Sequence, residues 1–281
     1  MNYTLTSTVD LPGGVKMPIL GLGTFLSEPG STARQAVMWA LEAGYRHIDT
    51  ARIYNNERDV GEGVRESGLQ RAEVFITTKV WNDDQGYDST LRACEESLKR
   101  LGMDYADLYL IHWPVPQKRL ETWKALIRLR EEKTVRAIGV SNFMVRHLDE
   151  LLGTSDVVPA VNQVEISPFI QRKALVDYCR AKGIVVEAYS PLSRGQRLAD
   201  PRLAAMAKKY GKTPAQIALR WVVQRGIVAI PKSVHRERIV ENAAIFDFVI
   251  DEGDMAEIAR WDEHYSVLFA SWEPETSNLW D

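Results

Sequence analysis

Cysteine is scarce in this chain. Cys94 and Cys179 are the only two, they lie far apart within helical patterns, and no C-x-x-C spacing joins them, so a disulfide framework is excluded and both read as reduced packing residues. Histidine is nearly as rare, with five residues and no H-x-H or H-E-x-x-H spacing, which leaves little to build a metal site from. The net charge of −3 lacks the basicity that nucleic acid attracts. No apolar run is long enough to span a bilayer, and Met1 to Pro18 has neither the basic start nor the long apolar core of a signal peptide. A soluble, cytoplasmic protein with a small-molecule partner, and with no nucleic acid and no membrane, is expected. A phosphate-binding P-loop is also missing. In Gly21-Leu22-Gly23-Thr24-Phe25-Leu26 a leucine stands where a dinucleotide fingerprint requires its last glycine, so no conventional nucleotide-binding module is present.

What is abundant is apolar residue, 45% of 281, enough for one sizeable core. The length suits a single α/β barrel domain over 1–281, since such barrels run near ~250 residues. Gly21-Leu22-Gly23-Thr24 precedes a helical pattern in which Ala33, Ala36, Val37, Ala40 and Leu41 share a face and Gly44 ends the helix. Further strands are expected near 46–49, 73–79, 106–112, 135–140, 160–164, 184–189 and 227–231, with helices between. Most of these strands are apolar and β-branched throughout, as strands covered on both faces are. Eight strand–helix units predict a closed (β/α)8 TIM barrel. Residues 3–18 predict a hairpin turning at Pro12-Gly13-Gly14 and plugging the lower end of the barrel. The long gap from 189 to 227 predicts one or two extra helices, the second capped by Thr213 with Pro214 at its first position. A last helix is expected from 254 to 261, followed by an irregular tail.

Seven of the eight predicted strands end in, or carry near their ends, a polar residue fit for chemistry or binding: Asp49, Lys79, His112, Ser141 with Asn142, Gln163, Tyr189 with Ser190, and Lys232 with Ser233. In a parallel barrel these ends meet on one rim, where barrel enzymes keep their active sites. A strand-end aspartate alone is usually a cap and a loop tyrosine usually packs. Lys79 is harder to explain that way, because its strand is otherwise apolar and a buried lysine needs a carboxylate partner. Asp49 is the nearest candidate. A lysine ammonium beside Tyr54 is expected to lower the tyrosine pKa toward that of a working proton donor, and His112 could hydrogen-bond a substrate carbonyl.

The segments GYRHIDTARIYNNE, FITTKVW, DLYLIHWP, IGVSNF, NQVEISP, YSPL and IPKSVHRERIVEN together resemble the aldo-keto reductase family over nearly the whole chain, most of all its short diketogluconate reductase-like and protozoan prostaglandin F synthase-like members. The resemblance implies a (β/α)8 barrel, NADPH as cofactor without a Rossmann domain, a carbonyl substrate and a monomeric enzyme. It implies catalytic roles for Asp49, Tyr54, Lys79 and His112, with Tyr54 as proton donor. Gly23, Thr24 and Asp49 would border the cofactor; Ser141, Asn142 and Gln163 would hold its carboxamide; Tyr189 would stack on the ring. Ser190 and Leu192 would follow the pyrophosphate, Lys232, Ser233 and Arg238 the 2′-phosphate, and Glu241 and Asn242 the adenine. The cations at 236 and 238 oppose a helix dipole unless an anion is there to receive them. Phe25, Trp81, Trp113 and Trp272, with His112, would line the substrate pocket.

Ser193-Arg194 stands where many relatives carry a glycine and the SRGQRLADP loop that would clasp the cofactor is short, so cofactor release is expected to differ from that of larger members; the tail after Trp261 is also short, so a wide, permissive pocket is expected. Two other readings remain: a metal-dependent hydrolase using His47, Asp49 and His112, and a non-catalytic relative that keeps the fold.

Overall fold

The computed structural model describes residues 3–281. The first element is the antiparallel pair β1 (Thr8–Leu11) and β2 (Val15–Pro18), with Val9 opposite Met17 and Leu11 opposite Val15. Gly13 and Gly14, with φ of 82° and 76°, make the turn between them, a backbone that side chains resist. The hairpin lies against the starting ends of later strands. A cavity of about 230 Å³ between them is lined by Thr8, Lys16 and Pro18 on one side and Arg46, Phe75 and Arg136 on the other, so the pair sits across the lower end of the barrel.

Eight parallel strands follow: β3 (Leu22–Gly23), β4 (His47–Asp49), β5 (Phe75–Val80), β6 (Ala106–Ile111), β7 (Val135–Ser141), β8 (Val161–Glu165), β9 (Val185–Tyr189) and β10 (Val228–Ile230). They pair in chain order. The ends meet where Gly21 N donates to Ala229 O at 2.9 Å, Ala229 N to Ile19 O at 3.0 Å and Gly23 N to Pro231 O at 3.0 Å, which closes the sheet. Gly23 is required at this seam, since a Cβ there would lie 2.9 Å from the carbonyl oxygen of Ile230. Every residue of β5, β6 and β8 is buried, the cost of the side chains being offset by cover on both faces.

The helices are α1 (Ser31–Glu42), α2 (Glu57–Glu66), α3 (Tyr87–Leu101), α4 (Arg119–Glu131), α5 (Val145–Thr154), α6 (Lys173–Ala181), α7 (Pro201–Tyr210), α8 (Pro214–Gln224), α9 (Arg236–Ala243) and α10 (Glu252–Ile258). Two of them, α7 and α8, share the gap between β9 and β10, one more than the barrel repeat needs, as expected. Helix α8 starts on a capping box in which Thr213 Oγ1 accepts from Gln216 N at 3.2 Å and Gln216 Oε1 accepts from Thr213 N at 3.0 Å. The last helix begins and ends earlier than the pattern suggested, because Asp251 caps it by accepting from Asp254 N at 2.8 Å. Among the described residues no helix is long and apolar enough to cross a membrane.

Candidate active site

The carboxyl ends of β4 and β5 put Asp49 and Lys79 side by side in the barrel. Lys79 is wholly buried and uses all three ammonium hydrogens: on Asp49 Oδ1 at 2.7 Å, Asp49 Oδ2 at 2.8 Å and the Thr50 carbonyl at 2.8 Å. Burial pushes the Asp49 carboxyl up, while Lys79 and a hydrogen bond from Gln163 pull against it.

Tyr54 comes from a 3-10 turn (Arg52–Tyr54) in the loop after β4. Asn56 fixes that loop: its Nδ2 donates to the carbonyls of Thr24 and Ser27, and its Oδ1 accepts from Thr50 Oγ1 at 2.7 Å. The Tyr54 ring lies 5.1 Å below Lys79 Nζ, 5.0 Å from Phe25 and 5.6 Å edge-to-face with His112. Its hydroxyl hydrogen-bonds to no other group among the described residues. Here the structure corrects the expectation from sequence. Tyr54 is held well above the ordinary phenol value, first by burial and then by the charges of Asp49 and Glu187, with Arg194 acting the other way. The physical reason is that Asp49 occupies the Lys79 charge, so little positive field is left for the phenol.

His112, at the end of β6, is held well below the ordinary imidazole value by burial and then by Lys79. It is therefore neutral at physiological pH. Its Nδ1 is sealed from solvent with no acceptor, so the single ring proton belongs on Nε2, the nitrogen that is not sealed. Around it stand Trp81, edge-on at 5.3 Å, and Trp113, parallel at 6.4 Å. The tail folds back over this mouth. Trp272 stacks on Trp81 at 6.2 Å and meets Trp113 edge-on at 5.0 Å, while Trp280 stacks on Trp113 at 4.8 Å.

The remaining strand-end residues lie beside these four, along the carboxyl ends of β7, β8 and β9. Ser141 Oγ donates to the Gln163 carbonyl at 2.9 Å. Asn142, in the left-handed region with φ of 64°, donates through Nδ2 to the His112 carbonyl at 3.0 Å and accepts from the Tyr189 hydroxyl at 2.8 Å. Gln163 Nε2 donates to Asp49 and to Glu187, both at 2.8 Å. Thr24 Oγ1 donates to the Asp49 carbonyl at 2.9 Å, beside Gly23. Past β9, three non-glycine residues, Ser190, Ser193 and Arg194, have φ of 48°, 47° and 51°. Each such residue costs of order 1–3 kcal/mol, and strain of this kind gathers at ligand clamps. Leu192 lies between them, and the Arg194 guanidinium reaches 5.5 Å from the Phe25 ring.

At the far end, Ser233 Oγ accepts from His235 N at 3.1 Å at the start of α9. Arg236 is paired with Glu42 of α1 at 3.0 Å. Lys232 and Arg238 have no ion-pair or hydrogen-bond partner among the described residues, and desolvation lowers the Lys232 pKa. The Glu241 carboxylate accepts from Thr213 Oγ1 at 2.7 Å, and Asn242 is buried beside it. His47 does not join His112: it lies deeper, with Nε2 3.0 Å from Thr77 Oγ1.

Two groups of residues escaped the reading of the sequence. One is Glu187, buried in β9 behind Gln163. The other fastens the tail: Glu165 accepts from Ser266 Oγ at 2.6 Å and Val267 N at 2.9 Å, Arg172 pairs with Glu273 at 2.7 Å, and Arg119 and His147 donate to or meet the Trp280 carbonyl at 2.8 and 3.1 Å. A charge inside an apolar strand, the signal that exposed Lys79, marks both Glu187 and Glu165.

The sequence model of the aldo/keto reductase family matches residues 19–263. The chain is 53% identical over 258 residues to a glyoxal reductase of Bacillus subtilis (strain 168), covering 92% of this chain and 94% of that one. It is 52% identical over 258 residues to a 9,11-endoperoxide prostaglandin H2 reductase of Trypanosoma cruzi (strain CL Brener), covering 91% of each. Among solved structures, a Bombyx mori aldo-keto reductase in complex with NADP superposes with a TM-score of 0.91 at 39% identity, covering 99% of this chain and all of that one.

Proposed function

This chain belongs to the aldo/keto reductase family of oxidoreductases, and we propose from that premise that it reduces small aldehydes and α-dicarbonyls with NADPH, using Tyr54 as the proton donor. The observation that carries the reading is the meeting, at the barrel mouth, of a tyrosine whose hydroxyl has no partner among the described residues, Tyr54, and a neutral imidazole, His112, their ring centres 5.6 Å apart, beside a neutralised Lys79–Asp49 pair.

The residues present fit a phosphate-bearing nicotinamide cofactor. Among the described residues Lys232 and Arg238 make no ion pair or side-chain hydrogen bond, Lys232 feeling only the more distant charge of Glu28, at one end of the row of strand-end residues, whereas Arg236 beside them is already committed to Glu42. At the other end Gln163 Oε1 accepts no hydrogen bond among the described residues, which suits a carboxamide. When bound, NADPH supplies the hydride that reaches the carbonyl carbon.

The chain's own side chains do the rest. His112 Nε2–H orients the carbonyl oxygen without adding charge. Tyr54 stays protonated at neutral pH because burial and the Asp49 charge oppose its ionisation, and it yields its proton to that oxygen only as alkoxide character develops. Trp81, Trp113 and Trp272 keep water from the reacting atoms and hold the substrate by apolar contact. The glyoxal reductase relative supports a small dicarbonyl, and the prostaglandin reductase relative supports breadth.

The test is Tyr54→Phe, which removes the transferable proton alone. NADPH affinity measured by quenching of tryptophan fluorescence should stay within about threefold of wild type while methylglyoxal reduction falls by at least the ~10²-fold expected of a lost general acid. Turnover near the wild-type rate would refute the assignment.

A further inference from the structure

Glu187 is the buried acid that the proposed reaction does not use. Its carboxyl is 0% exposed in the middle of β9, and a carboxyl sealed from water must be matched or stay neutral. It has one hydrogen bond, Gln163 Nε2 to Oε2 at 2.8 Å. Its other oxygen has none among the described residues, and His47 Nε2 stands 3.7 Å from it.

The same Gln163 nitrogen donates its second hydrogen to Asp49 Oδ2 at 2.8 Å. Both amide hydrogens are thus spent on acids, and the amide has one orientation. Turned over, it would place its oxygen between two carboxyl groups. Oε1, bonded to nothing among the described residues, is left for a ligand.

We propose that Glu187 is a positioning residue of the reductase site: it locks the Gln163 amide so that Oε1 is presented to the cofactor carboxamide, and it does so while its own carboxyl is neutral. The inference rests on the reading that the chain binds NADPH. The groups facing Glu187 explain the condition. His47 and Asp49 come from β4, Lys79 from β5 and Tyr54 from the loop beyond β4, while β10 offers Val228, Ala229 and Ile230 and no charge. Burial and Lys79 hold His47 at about 3, hence uncharged. Lys79 is saturated by Asp49 and Thr50. No cation remains to match Glu187, and burial followed by the Asp49 charge raises its carboxyl to about 8. Ionisation above that pH sets two negative charges about one amide, and the two carboxylates then repel in a site that water does not screen, although each accepts from Gln163 more strongly when charged.

The experiment compares wild type, Glu187→Gln and Glu187→Leu by NADPH titration, with fluorescence as readout, from pH 6 to 9.5. At pH 7 the leucine variant should bind NADPH roughly tenfold more weakly, the effect of one lost hydrogen bond, while the glutamine variant, which still offers an amide oxygen to Gln163 Nε2, should bind within about threefold of wild type. Any change of wild-type affinity above pH 8 should be absent in Glu187→Gln.

Melting of the cofactor-free protein adds an independent signature. The folded carboxyl keeps its proton up to about 8 whereas the ordinary value is 4.5, so the folded state binds more protons across that window and loses stability as the pH rises through it. Glu187→Gln should flatten that loss. Wild-type affinity in Glu187→Leu, or an alkaline change in Glu187→Gln equal to that of wild type, would overturn the proposal. Should the leucine variant fail to fold, the glutamine comparison still decides. Wild-type protein that binds no NADPH would instead overturn the cofactor reading and this inference together, a result seen before any variant is made.

Discussion

Lys79 Nζ stands 2.7 and 2.8 Å from the two carboxylate oxygens of Asp49, inside a barrel that gives neither group access to water. The lysine therefore acts first on the aspartate and only through it on Tyr54, whose ring it overhangs at 5.1 Å.

Removing the cation should accordingly cost stability as well as turnover. Lys79→Met leaves Asp49 as an unmatched buried acid beside Glu187, and breaking a buried pair from one side costs about 3–5 kcal/mol. Adding Asp49→Asn should return most of that loss without restoring carbonyl reduction. Urea unfolding of the two variants gives the comparison. A single variant as stable as wild type would mean the pair contributes nothing to holding the barrel.

The electrostatics of His112 set an expectation for the pH profile. Burial and Lys79 keep the imidazole neutral well below its ordinary value of 6.5, so kcat/KM for a neutral aldehyde should cross pH 6.5 without a step. His112→Gln, which keeps a hydrogen-bond donor, should retain more activity than His112→Phe. A clear transition near 6.5 that disappears in His112→Gln would show that the histidine works as a cation and that its neutral role is mistaken.

Arg236 and Arg238 share one turn of α9 yet differ in what they face. Arg236 is spent on Glu42 and Arg238 is free. A charge-assisted contact contributes about 1.5–3 kcal/mol, which is tenfold or more in affinity. Arg238→Ala should thus raise KM for NADPH at least tenfold and leave KM for NADH nearly unchanged, while Arg236→Ala should alter neither. Equal effects of Arg238→Ala on both cofactors would assign the residue to the helix alone.

Much of this arrangement was legible in the chain because a parallel barrel prints its buried strands as unbroken apolar runs and its working residues at their ends. Asp49, Lys79 and His112 stood out as polar endings, and Thr213-Pro214 announced α8. Glu187 and Glu165 were passed over because each sits two residues from the one its segment was valued for, Tyr189 and Gln163. The upward shift of Tyr54 was illegible for another reason. Its sign depends on whether Lys79 has charge to spare, and that follows from three hydrogen bonds that only the folded chain brings together. Helix α10 was displaced in the reading because Met255 and Ile258 fix which face is buried but leave its start to the Asp251 cap.

The tail makes the mouth narrower than its short length suggested. Trp272 stacks on Trp81 and stands edge-on to Trp113, and the segment that carries it is pinned by Glu165, Arg172 and Arg119. Those anchors lie on β8, just ahead of α6 and at the start of α4, so the aromatic lid is referenced to the barrel and not to the loose end of the chain. Trp272→Ala should open the mouth above His112 while leaving NADPH affinity unchanged, because its ring contacts are Trp81, Trp113 and Trp280 and none of the residues proposed to hold the cofactor. Apolar contacts discriminate weakly, about 1–3 kcal/mol per group, so kcat/KM for bulky aromatic aldehydes relative to methylglyoxal should rise by roughly tenfold. Arg172→Met, which frees Glu273 and the carbonyl of Glu165, should move the ranking in the same direction by loosening the lid without touching any aromatic ring. A panel of aldehydes of graded bulk assayed on both variants decides the point: identical rankings for wild type and Trp272→Ala would place the tryptophan outside the pocket and leave Trp81 and Trp113 to shape it.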